Sequence, residues 1–353
     1  MDLLTYALLG AIISELSLGK RLGNRAALYG AVVGLLPELE RLLGLTHGGL
    51  TLLLERRGAL HSILALALVP LILSFVARGL ERKRFPELRK RHWWKMFAWV
   101  WLLHLGLDAC TTLGIQFFYP FWKYRLSLNM IAPVDPLLTL PLLVFLLLAL
   151  RLPRDHARRP LFAGLGLALF GLYLTVAFTN RQFMRTMFAD ACERAGYQVI
   201  RHEVYPTWGN NVLWYGVAEE AYGYHIGHYS LLQGLDGYIK LTFLPKTHGL
   251  PQENFSLYLE DRLQEATHRY YNLEQSGDTL IWHDLRWGLS NLDEQHEFKK
   301  PEPRVSYQLL LRDDGRPAWI GPQQPAPVWQ RNWPVFFERL RGQPAPFSAS
   351  AQP

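Results

Sequence analysis

The sequence predicts an α-helical membrane bundle of about six transmembrane helices, followed by a soluble α+β domain that is mainly antiparallel β. Three observations carry this reading. The composition breaks near Asn180: residues 1–180 are dense in Leu, Ala, Val and Phe, whereas 181–353 are polar, rich in Gly, Trp, Tyr and His, and hold no long apolar run. Apolar runs approaching the roughly 20 residues of a spanning helix recur through the first half. Basic residues crowd into alternate loops, which is the signature of membrane orientation. Whole-chain averages conceal all three, because mean hydropathy is +0.01 and 50% of residues are hydrophobic. The expected division is a polytopic membrane domain over 1–180, an extracytoplasmic domain over 181–342 and a disordered tail over 343–353.

Six segments make up the predicted bundle: 3–18, 26–45, 58–77, 93–113, 135–151 and 160–179. The first is short and contains Glu15, so partial spanning or packing inside the bundle is expected of it. A signal peptide fits residues 1–18 poorly, since the start MDLL has no basic stretch and the basic residues follow the apolar run. Loop one carries Lys20, Arg21 and Arg25. Loop three carries Arg78, Arg82, Lys83, Arg84, Arg89, Lys90, Arg91 and Lys95, and loop five Arg151, Arg154, Arg158 and Arg159. The even loops hold fewer cations: Arg41, Arg56 and Arg57, then Lys123 and Arg125. Odd loops are therefore expected in the cytoplasm, both termini outside, and the soluble domain on the extracytoplasmic side of a bacterial inner membrane. The net charge of +7 belongs largely to these loops, so it implies contact with a lipid bilayer rather than with nucleic acid.

Beyond Asn180, the stretch to Tyr197 reads as a helix leaving the membrane. VLWYGVAEE, YGYHIGHYS, YIKLTFL, DTLIWHDLRW and VSYQLLLR then read as strands separated by Gly and Pro breaks, with one helix expected over 253–275. His225 and His228 are three apart and would face opposite sides of a strand, which predicts an exposed aromatic-histidine hairpin rather than a metal pair. Asp284 and Arg286 share one face if extended and are expected to pair with each other. With two cysteines, Cys110 and Cys192, a disulfide framework is excluded and two free thiols are expected, the alternative being a Cys110–Cys192 bridge if both lie outside the cytoplasm. The sequence contains no Gly-rich phosphate loop, nucleophile elbow or paired CxxC.

Ionisable residues within or beside spanning helices are costly and call for a functional reading. Glu38 and Glu40 close segment two, His61 opens segment three, and His104 and Asp108 end segment four. The predicted orientation puts them all at the outer membrane face, and the four-residue spacing of His104 and Asp108 sets those two on one helix face. Imidazoles and carboxylates converging there suit a divalent ion such as zinc or manganese, which would generate a hydrolytic nucleophile. The structural alternative is a hydrogen-bonded pair holding helices together. If PELE is α-helical, Glu38 and Glu40 point about 200° apart and one alone can face the site.

At these motifs the chain resembles a family of bacterial inner-membrane metal-dependent hydrolases, described as LexA-binding. MDLLTYA at 1–7, PELE at 37–40, RRGALHS at 56–62, HLGLDACTTLG at 104–114, YPF at 119–121 and VDPLLTLPLL at 134–143 keep that family's order. DLRWG at 284–288 resembles a turn of its longer members. The chain departs from the pattern at Tyr6 and Arg56, where the family has histidine, at Glu38 and Glu40, where it has aspartate, and at Leu60, where it has threonine. Arginine cannot ligate a metal. The resemblance implies catalytic residues Glu38, His61, His104 and Asp108, metal ligands from these and Glu40, and substrate contacts from Arg56, Arg57, Ser62 and Thr112. The substrate it leaves open is lipid-like or anionic, and anionic lipid headgroups are the expected small partners. The alternative is a catalytically degenerate member that binds or scaffolds through its C-terminal domain. Contact with a cytoplasmic repressor is not expected of a site on the outer face.

Overall fold

The computed structural model describes residues 1–42, 49–234, 239–248, 257–289, 303–310, 318–323 and 333–342. The expected disordered tail, 343–353, lies outside them. The chain divides into two units: Met1–Phe178 with Trp208–Asn210, and Thr179–Thr207 with Asn211–Pro353.

The first unit is helical. Helix α1 (Leu3–Leu22) starts where the Asp2 carboxylate accepts the Thr5 N–H and stops at Gly23, whose φ of 61° reverses the chain into α2 (Asn24–Leu35). The two pack through glycine. A Cβ on Gly30 would stand 2.1 Å from the Gly10 carbonyl oxygen, and one on Gly34 would stand 2.6 Å from that of Tyr6. Backbones approach this closely only where side chains are absent. Pro37 has no N–H to bond the Val33 carbonyl, and Leu36 N–H takes it instead, so a 3-10 helix replaces the α-helix over Leu36–Leu42.

Helix α3 (Gly49–Glu55) precedes the motif loop, and Ser62 caps α4 (Ile63–Glu81) by accepting the Ala65 N–H at 3.2 Å. Next comes α5 (Lys90–Ala109), with Trp93, Met96, Phe97, Val100 and Trp101 all buried. Asp135 caps α6 (Pro136–Leu150), and α7 runs from Arg158 to Arg194. On α4, Leu68, Leu71, Ile72, Phe75 and Val76 face outward, as do Leu161, Leu165, Leu172 and Val176 on α7. Apolar faces of this extent belong against lipid.

Among the described residues three helices, α1, α4 and α7, are long and apolar enough to cross a membrane. The expected count of about six exceeds this. Segment two is broken after Leu35 by Pro37, α6 has only 15 residues, and α5 opens with Lys90, Arg91 and Lys95. Glu15 lies buried and receives Arg159 through two bonds, Nε to Oε1 at 2.6 Å and Nη2 to Oε2 at 2.8 Å. An intramembrane carboxylate is accommodated by such a fork.

The second unit holds the end of α7 and two antiparallel four-stranded meanders. The first runs β1 (Arg201–Pro206), β2 (Leu213–Glu219), β3 (Gly223–Ser230) and β4 (Leu241–Pro245) in sequence order. The second runs β5 (Tyr271–Ser276), β6 (Thr279–Leu289), β7 (Pro303–Leu310) and β8 (Ala318–Gln323). Helix α8 (Leu257–Ala266) precedes β5, and α9 (Trp333–Leu340) follows β8.

Strand alternation divides the first sheet between two cores. Val204, Trp214 and Ala218 meet Met184, Phe188 and Cys192 of α7, whereas Tyr205, Tyr215 and Val217 join Leu285 and Leu289 of the second sheet. Gly216 admits the Phe188 ring, which a Cβ would meet at 2.4 Å.

The helix expected over 253–275 is shorter: α8 ends at Ala266, and after a turn residues 271–276 form β5, because Tyr271 and Leu273 are drawn into the sheet core. The exposed histidine hairpin is also corrected. His225 is buried against Tyr197 with its Nε2 3.0 Å from Glu220, and His228, on the opposite face, is partly buried beside Tyr215. Asp284 and Arg286 do pair, buried, through Nε at 2.9 Å and Nη2 at 2.7 Å. Both cysteines are free and buried.

Candidate metal centre

Four elements of the first unit end at one level: the start of α1, the 3-10 helix after α2, the loop before α4, and the end of α5. Each contributes to one polar cluster inside an apolar bundle. Ligand atoms of Glu38, His61, His104 and Asp108 lie within 4.8 Å of one another, and all four residues are buried. Such a cluster has the donor set to hold a divalent metal ion.

The geometry is set by what surrounds the two imidazoles. His104 Nδ1 lies 2.9 Å from the Gly34 carbonyl oxygen, which can only accept, so Nδ1 carries the hydrogen. His61 Nδ1 lies 3.1 Å from the Glu40 carboxylate, an arrangement that likewise places a hydrogen on Nδ1. The Nε2 atoms are then left to face inward, 3.3 Å apart, and Asp108 Oδ2 lies 3.1 Å from that of His61 and 3.4 Å from that of His104. Three acceptor sites converge on one small volume. Metal-binding histidines have this pattern, with a carbonyl or carboxylate fixing the outer nitrogen and the inner one free for the ion.

The other Asp108 oxygen is held by donors. Oδ1 pairs ionically with Arg57 Nη2 at 2.9 Å and accepts from the Tyr6 hydroxyl, and the Met1 amino nitrogen stands at 3.3 Å. Arg57 is committed further: Nη1 donates to Thr111 Oγ1 at 2.8 Å and Nη2 to the Tyr6 oxygen at 3.1 Å. Its φ of 60° is rare for a side-chain-bearing residue and turns the motif loop so that the guanidinium points inward. Tyr6 also stacks on His104, with ring centroids 4.1 Å apart. A phenol cannot replace an imidazole as a nitrogen ligand, but here it positions both the His104 ring and the Asp108 carboxylate.

Glu38 and Glu40 take different parts. Two residues of a 3-10 helix differ by about 240°, so the pair sits about 120° apart and both can turn inward. Glu38 joins the cluster, with Arg41 on its Oε2, and its buried Oε1 has no hydrogen-bond partner among the described residues. Glu40 lies one layer out, accepting the Gly58 N–H at 3.1 Å and the Leu60 N–H as well as facing His61. Ser62 serves as the cap of α4 and Thr112 is buried beyond α5. The Arg56 side chain has no hydrogen-bond or ion-pair partner among the described residues, and its Nε is buried. Sequence reasoning did not find the Gly34 carbonyl. Its signal was the G-x-x-x-G spacing of Gly30 and Gly34, which brings α2 against α1.

Fold and site together define an integral membrane helical bundle with a buried histidine–carboxylate cluster. The family described as YdjM inner membrane protein matches residues 1–184, more than half of the chain, and the chain belongs to that family. No curated protein and no solved structure matches it.

Proposed function

We propose that this membrane protein is a metal-dependent hydrolase whose divalent ion, zinc or manganese, is held by His61, His104, Asp108 and Glu38. The observation that supports it is the convergence of the two Nε2 atoms on one Asp108 oxygen, with both outer nitrogens engaged by acceptors. A bound ion would supply Lewis-acid polarisation and a water of lowered pKa. Glu40 holds the His61 ring and its tautomer, the Gly34 carbonyl does the same for His104, and Arg57 with Tyr6 fixes the rotation of the Asp108 carboxylate. Glu38 Oε1, which has no hydrogen-bond partner among the described residues, is the oxygen that would reach the ion.

This reading includes a topology of about six membrane-embedded segments with the odd loops cytoplasmic. The cluster and the C-terminal domain then face the extracytoplasmic side. A second reading is favoured by one feature: Arg57 on Asp108 and Arg41 on Glu38 already neutralise two carboxylates. In that case the cluster is a charged knot in a non-catalytic binding protein, with His61 protonated and donating from both nitrogens.

Metal analysis of the detergent-purified full chain separates the two. The hydrolase reading expects about one zinc or manganese per chain, removed by chelator and lost in His61→Ala and His104→Ala. Wild-type protein that keeps no metal after growth and purification with added zinc and manganese would sink it.

A further inference from the structure

The two arginines of the motif loop are adjacent in sequence and opposite in circumstance. Arg57 is fully engaged with Asp108, Tyr6 and Thr111. The neighbouring Arg56 has no side-chain partner among the described residues, although its charged neighbours include Arg57, Arg41 and Glu38. A partly buried guanidinium beside two other cations is costly unless an anion reaches it. Its backbone is also rigidly held: Arg125 Nη1 donates to the Arg56 carbonyl at 3.2 Å, and Arg125 Nη2 donates to Leu53 and Leu54, each at 3.0 Å.

A second observation concerns the segment packed on that loop. Gln116 N–H bonds the Arg57 carbonyl at 2.8 Å, Ile63 N–H bonds that of Phe117 at 2.9 Å, and Lys123 pairs with Glu55 at 3.4 Å. From this anchored base the chain projects Phe118, Phe121, Trp122 and Tyr124, which are 46%, 82%, 60% and 50% exposed. Phe118, Trp122 and Tyr124 form a ladder of neighbouring rings at 6.0 and 5.5 Å. Amphipathic aromatics in a membrane protein settle at the level of the lipid headgroups. Residues 117–124 and the Arg56 loop are joined by backbone hydrogen bonds, so Arg56 belongs at that level too.

We propose that Arg56 holds the phosphate of an anionic membrane lipid, which makes a phosphate-bearing amphiphile the substrate class of the adjacent centre. The planar guanidinium fork matches phosphate oxygens, and the aromatic ladder lies in the headgroup region from which such a molecule is drawn. The word substrate rests on the hydrolase reading; capture of the anion does not.

The test is equilibrium binding of dioctanoyl phosphatidic acid to the full chain in neutral detergent. Dioctanoyl phosphatidylcholine and inorganic phosphate serve as separate probes, and metal content is measured on every sample. Saturable binding of phosphatidic acid is expected, weakened at least about ten-fold in Arg56→Gln, partly restored in Arg56→Lys and unchanged in Arg78→Gln at the other end of α4. Phosphatidic acid bound equally well by Arg56→Gln overturns the proposal, and so does displacement by inorganic phosphate at equal concentration, which would point to a soluble phosphate ester. If Arg56→Gln does not fold, Arg56→Lys decides, with undiminished affinity overturning the proposal and weakened affinity supporting it. Arg56-dependent binding without metal removes the hydrolase reading and leaves the lipid site; metal with Arg56-independent binding does the reverse.

Discussion

Asp108 serves two kinds of neighbour with its two oxygens. Donors crowd Oδ1 and imidazoles face Oδ2, so the side chain joins the motif loop, α1 and α5 in one place. Asp108→Asn keeps the shape and removes the charge, leaving the buried Arg57 guanidinium without its counter-ion. The expected loss is about 3–5 kcal/mol, read as a lower thermal transition in detergent, and Arg57→Met in the same chain should recover part of it. Glu40 tests the outer layer of the cluster. Glu40→Gln keeps an acceptor but not the charge, and metal affinity is expected to fall about 10–100-fold with stoichiometry at saturation unchanged.

At the scale of elements, α1 and α2 are set by glycine and α4 by its cap. Gly30→Ala places a methyl against the Gly10 carbonyl, and the hairpin must separate. A loss of about 1–3 kcal/mol is expected, together with weaker metal retention because Gly34 moves off His104. Ser62→Ala is the contrasting case. It removes the N-cap of α4, at about 1 kcal/mol, and should leave metal content unchanged. A melting series in one detergent checks both, and equal metal loss in the two variants would contradict the assignment of Ser62 to the cap alone.

For the molecule as a whole, the second unit carries a pH response of its own. In the second unit, burial, reinforced by Arg339 and Arg304, pushes the His228 imidazole down to about 3 from its ordinary 6.5. The folded form thus binds a proton less readily than the unfolded chain. The stabilising contribution is complete above about 6.5 and is lost as pH falls from there toward about 3. Hydrogen exchange across β2 and β3 of the full chain should show protection falling over that window in the wild type, with a smaller fall in His228→Gln.

Bilayer association of the first half was legible in the sequence, because apolar length and loop charge follow from the bilayer itself. So were the antiparallel strands, whose alternation is a local property, and the Asp284–Arg286 pair, whose two-residue spacing determines its face. The four cluster residues were named from motif order and one helix spacing. Their roles were not legible. That Glu38 and Glu40 both turn inward depends on Pro37 converting the end of α2 to a 3-10 turn, and which arginine is engaged depends on a left-handed φ at Arg57. The tautomers depend on a carbonyl 70 residues from His104, and a backbone acceptor leaves no trace in side-chain chemistry. Sequence alone determined that this chain meets a membrane with a strand-rich domain attached, since hydrophobic burial is additive along a segment. Only the tertiary structure decided which polar groups face one another, since hydrogen bonds and metal geometry depend on ångström-scale distances between residues far apart in the chain.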